Sequence, residues 1–207
     1  MANKLPQMNQ TLAYYNEHAE DFINQTQSVD MGLLYETFLS YIPKNGSILD
    51  AGCGSARDAL AFYQKHYDVV AFDASRAIVD IVSKQCAFPI YHASFLNFNT
   101  QTKFDGIWAC ASLLHVPTED QVESILHLSS MLKIDGVFYL SYKLGKTENE
   151  HNGRYFCNFD EPSFSEMAQQ LTDLHIVEQW VTTDQRKNRA QEQWFNVILR
   201  KQLSCNE

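Results

Sequence analysis

The chain has 207 residues, enough for one domain with a sizeable buried core. Hydrophobic residues make up 45% of the sequence, charged residues 20%, and the formal net charge is -9. Because binding to a nucleic-acid backbone usually requires a positive surface, this charge argues against a nucleic-acid partner.

The cysteine content indicates a reducing compartment. Five cysteines occur, an odd number, and no pair has C-x-x-C spacing. We therefore predict free thiols, no disulfide framework, no metal site and a cytoplasmic location. No apolar run has membrane-spanning length, so we expect no membrane partner. The expected partner is a small molecule, and the expected state is a monomer or a homodimer.

Two helices are predicted ahead of the first strand. Apolar side chains recur at helical spacing over residues 8–23 and over residues 31–41. Such helices would either cap a ligand cleft or cover a sheet edge, and the pattern fits both.

The next stretch predicts a strand, a tight turn and a helix. A short apolar run ends at Asp50, a turn follows at Gly52 and Gly54, and residues 56–65 predict a helix. Backbone N–H groups converge at such a helix N-terminus, where polar or anionic ligand groups are favoured. Glycine lets the backbone approach a ligand closely because it has no Cβ.

Two classes of nucleotide-like cofactor use a turn of this kind. A dinucleotide-binding loop requires a third glycine, but Arg57 occupies that position. Asp50 would also repel a pyrophosphate, whereas it suits a cationic amino group. The loop resembles the S-adenosylmethionine loop of class I methyltransferases, with its acid-x-Gly-x-Gly pattern. A purely structural turn is the remaining alternative.

A second buried strand is predicted over residues 68–72 and ends at Asp73. An acid at this position, about 20 residues past the glycines, is placed to accept hydrogen bonds from two ribose hydroxyls. Its alternative role is to stabilise the start of the next helix, for which Ser75 is the predicted N-cap.

Three further strands are predicted over residues 88–93, 104–110 and 134–142. A helix begins at Thr118 before the last of them, with Gln121 completing a capping box. Alternating strands and helices predict a parallel, doubly wound sheet, in which ligands bind beyond the carboxyl ends of the strands. The polar residues of the motifs lie at those ends.

The last third of the chain predicts a loop over residues 145–153, a helix over 161–171, and strands over 175–183 and 192–201. A closing hairpin beside the fifth strand would complete the sheet. The predicted fold class is α/β, a doubly wound, Rossmann-like, seven-stranded mixed sheet with one antiparallel strand and helices on both faces. We expect one domain over residues 1–207, with a helical cap (1–45), a cofactor-binding core (46–143) and a substrate-side segment with the hairpin (144–207).

Taken together, the sequence resembles bacterial class I S-adenosylmethionine-dependent methyltransferases of the tellurite-resistance methyltransferase-like group. The residues that carry the resemblance are 48–60, 73–75, 104–117, 153–156 and 194–197. It departs from the usual pattern at Ala56, where glycine is common, and at Ser94, where an acid usually faces the adenine amine.

The resemblance implies S-adenosylmethionine as cofactor, with S-adenosylhomocysteine as product. It implies that four successive parts of the chain contact the cofactor. In chain order, they contact its methionine end, its ribose, its adenine and its sulfonium. Tyr14 or Tyr15 would cover the sulfonium by cation–π attraction, or would simply pack in the core. The implied cofactor-binding residues are Tyr14, Asp50, Gly52, Cys53, Gly54, Arg57, Asp73, Ala74, Ser94, Phe95, Cys110 and Ala111.

The candidate groups for catalysis and acceptor binding follow the cofactor loop in the chain. His115 is the candidate base for an acceptor that carries a proton, and a histidine bonded to backbone is the alternative. Arg154 offers bidentate hydrogen bonds to an anion, and Arg186, Lys187 and Arg189 form a further group of cations or a solvated loop. The candidate substrate residues are Arg154, Tyr155, Trp194 and Asn196.

The sequence therefore predicts a methyltransferase that uses S-adenosylmethionine and acts on a small soluble acceptor. An anionic molecule or a soft thiol or chalcogen nucleophile fits this reaction. A non-catalytic S-adenosylmethionine sensor and a nicotinamide-dependent oxidoreductase are the alternatives.

Overall fold

The computed structural model describes residues 5–186, 189 and 191–203. Lys187 and Cys205 lie outside the described residues. The helices are α1 (Leu5–Glu17), α2 (Ala19–Thr26), α3 (Gly32–Leu39), α4 (Arg57–Gln64), α5 (Arg76–Val82), α6 (Thr118–Ser129) and α7 (Glu161–Ala168), with a short 3-10 helix at Leu113–His115. The strands are β1 (Ser47–Ala51), β2 (Asp68–Asp73), β3 (Ile90–His92), β4 (Phe104–Ala109), β5 (Leu132–Lys143), β6 (Asn149–His151), β7 (Arg154–Phe156), β8 (Leu174–Thr183) and β9 (Gln193–Lys201).

Seven strands form one mixed sheet in the order β3-β2-β1-β4-β5-β9-β8. Strand β9 runs antiparallel to both of its neighbours, and the remaining pairs are parallel. The predicted fold class, a seven-stranded mixed sheet with one reversed strand, is therefore confirmed.

The sheet is covered on both faces, because side chains alternate between the faces along each strand. Leu49 of β1 belongs to the apolar cluster that includes α6 and α7, whereas Ile48 belongs to the cluster that includes α3, α4 and α5. The central parallel strands are buried on both faces and consequently read as continuous apolar runs.

A buried polar network links α3, α4 and β4. The Asp58 carboxylate accepts hydrogen bonds from the Tyr35 hydroxyl (2.5 Å), the Trp108 indole N–H (2.8 Å) and the Arg57 guanidinium (2.6 and 3.0 Å). Burial alone would raise the pKa of Asp58, but the positive charge of Arg57 and these donors hold the pKa below its usual value. The network connects the helix after the glycine turn to the centre of the sheet.

Two predictions of helix boundaries and caps are wrong. The first predicted helix divides at His18, which has non-helical backbone angles between α1 and α2. Helix α6 has Pro117 at its N-cap position and no side-chain cap, so the capping box with Gln121 does not form. The Gln121 amide instead donates to the carbonyls of Leu113 and Val116, at 2.8 Å each.

A third difference lies in the segment predicted as a loop over residues 145–153. Strand β6 lies within it and pairs with β7 in a separate two-stranded hairpin. The turn between them contains Asn152 and Gly153, both in the left-handed region with φ of 51° and 72°. This hairpin packs against α1 and against the 3-10 helix.

Within the described ranges, no helix combines the length and the apolar character needed to cross a bilayer.

Candidate functional site

The turn after β1 is shaped by glycine. Gly52 and Gly54 have positive φ angles of 78° and 51°, and the N–H groups of Gly52 and Cys53 both donate to the Phe72 carbonyl at 2.9 Å. A Cβ added at Gly52 would lie 2.6 Å from Cβ of Ser112. Position 52 therefore requires glycine both for its backbone angle and for the space beside it.

Asp73 lies beside this turn at the carboxyl end of β2. Its carboxylate accepts the N–H of Gly54 at 2.9 Å and the N–H of Ser75 at 2.8 Å. Burial raises the pKa of Asp73, although these N–H groups oppose the shift. Ser75, as predicted, forms the N-cap of α5 by accepting the N–H of Ile78 at 3.3 Å. The cap of α5 therefore comes from Ser75, and two lone-pair positions of Asp73 are left for other donors.

The glycine turn lies between two cavities that share a wall. The first, here named the Asp73 chamber, has a volume of about 200 Å³ and lies at the ends of β2 and β3. The second, the Arg154 chamber, has a volume of about 240 Å³ and lies between the N-terminal helices and the ends of β5, β7 and β9. The residues that line both chambers are Tyr15, Phe22, Gly52, Gly54, Ala111 and His115.

Most of the residues predicted to bind ligands line this cleft. Besides the shared wall, the Asp73 chamber is lined by the predicted residues Asp73, Ala74, Ser94 and Phe95. The Arg154 chamber is lined by the predicted residues Cys53, Arg57, Cys110, Arg154, Trp194 and Asn196.

Asp50 is the first of three predicted residues that the structure does not bring to the cleft. Its carboxylate is 2% exposed and accepts the N–H of Ala59 at 3.1 Å. Helix α4 has Ala56 at its N-cap position, which offers no side-chain acceptor, so Asp50 supplies the missing cap from β1. Burial and the nearby charge of Asp58 raise the pKa of Asp50. The contact that the structure shows for Asp50 is therefore a structural one, and the predicted contact with a cationic ligand group stays a prediction.

Tyr14 is the second. It does not line either chamber, and its ring instead lies beneath the Arg154 guanidinium, 4.5 Å from the ring centroid. Tyr15, the alternative given by the sequence, lines both chambers. Adjacent helical residues point about 100° apart, so only one of the two tyrosines can face the cleft.

Tyr155 is the third. Its side chain is 3% exposed and belongs to the apolar cluster under α6 and α7. Its backbone carbonyl, in contrast, accepts a hydrogen bond from Nδ1 of His115 at 2.7 Å. Tyr155 thus contributes to the site through its main chain.

The two bonds of His115 define its protonation. A carbonyl can only accept, so Nδ1 carries the proton, and Nε2 accepts the hydroxyl of Tyr15 at 2.8 Å. Burial lowers the pKa of His115 to about 4; the bond to the Tyr155 carbonyl opposes this shift, while the charges of Arg154 and Lys143 add to it. His115 is therefore neutral near pH 7, with Nε2 as an acceptor.

The strand end at Cys110 and Ala111 carries no charged side chain of its own. Burial is the main cause that raises the pKa of the Cys110 thiol to about 12, so this thiol stays protonated near neutral pH. Ala111 has a positive φ of 51°, and its N–H donates to the Ser141 hydroxyl at 2.8 Å. This strand end thus presents small, neutral groups where the two chambers meet.

Positive charge collects on the far side of the Arg154 chamber. Lys143 pairs with Glu192 at 3.0 Å, Arg189 pairs with Glu192 at 3.5 Å, and Arg186 pairs with Asp184. Arg154 has no ion pair with a carboxylate in the described part of the chain, and its buried Nε has no hydrogen-bond partner there. The chamber therefore holds more positive than negative charge.

Lys143 is a site residue that sequence reasoning missed. It ends β5 and lies 4.9 Å from the centroid of the Phe156 ring. Its place at the carboxyl end of a central strand was a usable signal, because ligands in such sheets bind at that edge.

The sequence of the central strands also matches a known family model. Residues 48–136 match a methyltransferase domain. The match spans the glycine turn, Asp73 and the segment through His115. The tellurite-resistance-like group predicted from the sequence is not confirmed. No curated protein matches the sequence significantly.

Several solved structures share the fold over nearly the whole chain. The 1,6-didemethyltoxoflavin-N1-methyltransferase of Burkholderia thailandensis, solved with bound S-adenosylhomocysteine, is similar with a TM-score of 0.78 and 16% identity, covering 98% of this chain and 92% of that one. The [4+2]-cyclase SpnF has a TM-score of 0.73 and 13% identity, with 95% and 97% covered. A TehB-like methyltransferase of Corynebacterium glutamicum has a TM-score of 0.68 and 17% identity, with 92% and 99% covered. At these sequence identities, the similarity shows a shared fold alone.

Proposed function

We propose that this protein is an S-adenosylmethionine-dependent methyltransferase that acts on a small, anionic acceptor. The observation that carries the proposal is the pairing of Asp73 with the glycine turn on one continuous cleft. The carboxylate has two lone-pair positions left after it accepts Gly54 and Ser75, which matches the two hydroxyls of a ribose. The methyltransferase-domain match over residues 48–136 supports the same conclusion.

The two chambers offer complementary surroundings for the two halves of the reaction. Asp73 would hold the ribose, and Ser94 and Phe95 would flank the adenine in the Asp73 chamber. The glycine turn would hold the methionine end, and Cys110 would lie near the sulfonium. S-adenosylmethionine supplies a methyl group on a positively charged sulfur. A neutral wall does not bind this positive charge tightly, so it does not oppose the loss of the charge when the methyl group is transferred.

The N-terminal helices contribute to both chambers. Tyr15 of α1 and Phe22 of α2 line the shared wall of the cleft. This placement supports the proposal that the N-terminal segment caps the cleft and helps exclude water from it.

The acceptor is proposed to be anionic because of the Arg154 chamber. An acidic ligand there would pair with the Arg154 guanidinium, which has no carboxylate partner among the described residues. Lys143 would add a second positive group on the same wall. An anion that enters this chamber therefore gains hydrogen bonds and charge pairing that a neutral molecule of equal shape lacks.

The fold alone does not decide between methyl transfer and other chemistry, since SpnF, a similar structure, is described as a [4+2]-cyclase. The experiment is therefore a direct assay of S-adenosylhomocysteine release, with carboxylates and their neutral amides as acceptors. We expect acceptors that carry a carboxylate to be methylated faster than the matching neutral amides, and Arg154→Gln should remove this preference. Arg76→Gln, an exposed change on α5, is the matched control. Binding of S-adenosylmethionine without any turnover would favour a non-catalytic sensor.

A further inference from the structure

Tyr15 and His115 form a hydrogen-bonded pair where the two chambers meet. Both side chains line both chambers, and Oη of Tyr15 lies 2.8 Å from Nε2 of His115. Because Nδ1 of His115 donates to the Tyr155 carbonyl, the phenol proton of Tyr15 points toward Nε2. The Tyr15 oxygen has two lone pairs; the Arg154 guanidinium lies near enough to interact with one, and a ligand in the cleft can donate to the other.

We propose that Tyr15 and His115 relay a proton away from an acceptor whose nucleophile is a hydroxyl group on a small aromatic acid. This inference rests on the proposed function and deepens it, because it excludes a soft, already ionised nucleophile as the preferred acceptor. Tyr15 contacts the acceptor and is the catalytic residue. His115 acts through Tyr15 and is a positioning residue that also takes up the proton.

The lining of the Arg154 chamber supports an aromatic acid. The aromatic residues Phe22, Phe156 and Trp194 line the chamber, which favours a flat apolar body. Arg154 lines the same space and forms no ion pair with a carboxylate of the described residues, which favours a carboxylate at one end of that body. A thiolate or a chalcogen oxyanion would need no proton acceptor, so the Tyr15–His115 pair would then have no chemical use.

The proposed step balances in atoms and charge. The acceptor oxygen forms a bond to the methyl carbon while the bond from that carbon to sulfur breaks, leaving its electron pair on a neutral sulfide. The acceptor O–H bond breaks, and its proton passes to Oη of Tyr15. The original phenol proton passes to Nε2 of His115. The positive charge that began on sulfur ends on the imidazolium, which then loses a proton to solvent.

The charges around the pair favour a neutral resting state. Burial lowers the pKa of His115 to about 4, and Arg154 on β7 and Lys143 on β5 also lower it. The pKa of Tyr15 is raised by burial and lowered by Arg154, while Asp73 and Tyr14 raise it further. Near pH 7 both groups are therefore uncharged, and Nε2 accepts the phenol hydrogen bond; the same burial and charges oppose the imidazolium, so the proton that it takes up passes on to solvent.

The test compares two probe acceptors that differ only in the nucleophile, 4-hydroxybenzoate and 4-mercaptobenzoate. Tyr15→Phe keeps the ring but removes the hydroxyl, and His115→Asn keeps a donor for the Tyr155 carbonyl but removes the base. We expect both variants to lower the methylation rate of 4-hydroxybenzoate by about 100-fold or more, the usual contribution of general base catalysis. The rate with 4-mercaptobenzoate, measured where its thiol is ionised, should fall far less in both variants, because an ionised nucleophile has no proton to give up. Tyr63→Phe removes a hydroxyl that faces neither chamber and should change neither rate.

A second readout does not depend on turnover. Long-range ¹H–¹⁵N spectra of the histidine rings, recorded with S-adenosylhomocysteine present, should give a neutral His115 with its proton on Nδ1 near pH 7. The Nε2 signal should shift in Tyr15→Phe and stay in place in Tyr63→Phe.

Three results would overturn the relay. They are equal losses with the two probes, a His115 proton on Nε2, and wild-type protein that methylates the mercapto acid but not the hydroxy acid. Wild-type protein that methylates neither probe would contradict the proposed acceptor class. Each sample is first titrated with S-adenosylhomocysteine, so that absent cofactor binding, which contradicts the proposed function itself, is distinguished from failure of the relay.

Discussion

Asp73→Asn tests the cofactor assignment with the smallest change in shape. The native carboxylate accepts the backbone N–H groups of Gly54 and Ser75 and has two lone-pair positions left. In the asparagine variant, one oxygen becomes an NH₂ group, which can donate but cannot accept. The NH₂ group takes the acceptor away from one ribose hydroxyl and also from the N–H of Gly54 or Ser75, and the other hydroxyl is left with a neutral acceptor.

The expected loss follows from this count. A hydrogen bond to a charged group contributes about 1.5–3 kcal/mol, so one lost bond predicts about 10- to 150-fold weaker binding of S-adenosylhomocysteine. Isothermal titration calorimetry measures the affinity, and thermal unfolding checks that the glycine turn remains folded. Asp80→Asn removes an equal charge from an exposed position on α5 and is the matched control. Unchanged affinity in Asp73→Asn would refute the ribose role of Asp73.

Two further predictions concern the turn and the helix beside it. Asp58→Asn should lower the free energy of unfolding in urea by about 3–5 kcal/mol, because it leaves Arg57 buried without its partner. The pKa of Asp58 is lowered in the folded state, so its contribution is complete above the ordinary value of 3.8 and is lost as the pH falls through the folded value. A loss no larger than that of Asp68→Asn at the exposed start of β2 would contradict the network. Gly52→Ala should abolish detectable S-adenosylhomocysteine binding, since its Cβ would lie 2.6 Å from Ser112 at a φ of 78°. Gly145→Ala, whose Cβ would meet only Asn158 at 3.2 Å, is the control, and equal affinities in the two variants would disprove the steric argument.

The sheet could be predicted because its signals are local and repeated. The central parallel strands are short apolar runs with polar residues near their carboxyl ends, and the helices between them have apolar residues at helical spacing. The preference for right-handed crossovers then limits how such strands can be connected. The reversed strand β9 was predicted from a hairpin at the end of the chain, and the structure confirms it.

The orientation of single side chains was harder to predict. Asp50 was assigned by its place at a strand end, but it shares a face of β1 with Ile48, and α4 covers that face. Helix α4 lacks a side-chain cap of its own because Ala56, in the left-handed region, occupies its N-cap position, and Asp50 takes over this role. That conformation is a tertiary property that spacing does not reveal.

The β6–β7 hairpin was missed although its signal was present. Asn152-Gly153 is a pair that favours tight hairpin turns, but the flanking strands have only three residues each. Such short strands carry too little periodicity to be recognised. The consequence is functional, because this hairpin brings Arg154 and the Tyr155 carbonyl to the cleft.

The central claim is tested most directly by one calorimetric titration of the wild-type protein with S-adenosylmethionine, S-adenosylhomocysteine and NAD in parallel. We predict micromolar binding of the first two ligands and none of NAD, because Arg57 stands where a dinucleotide loop needs its third glycine. Binding of NAD alone would contradict the cofactor assignment and, with it, the roles proposed for Asp73 and the glycine turn.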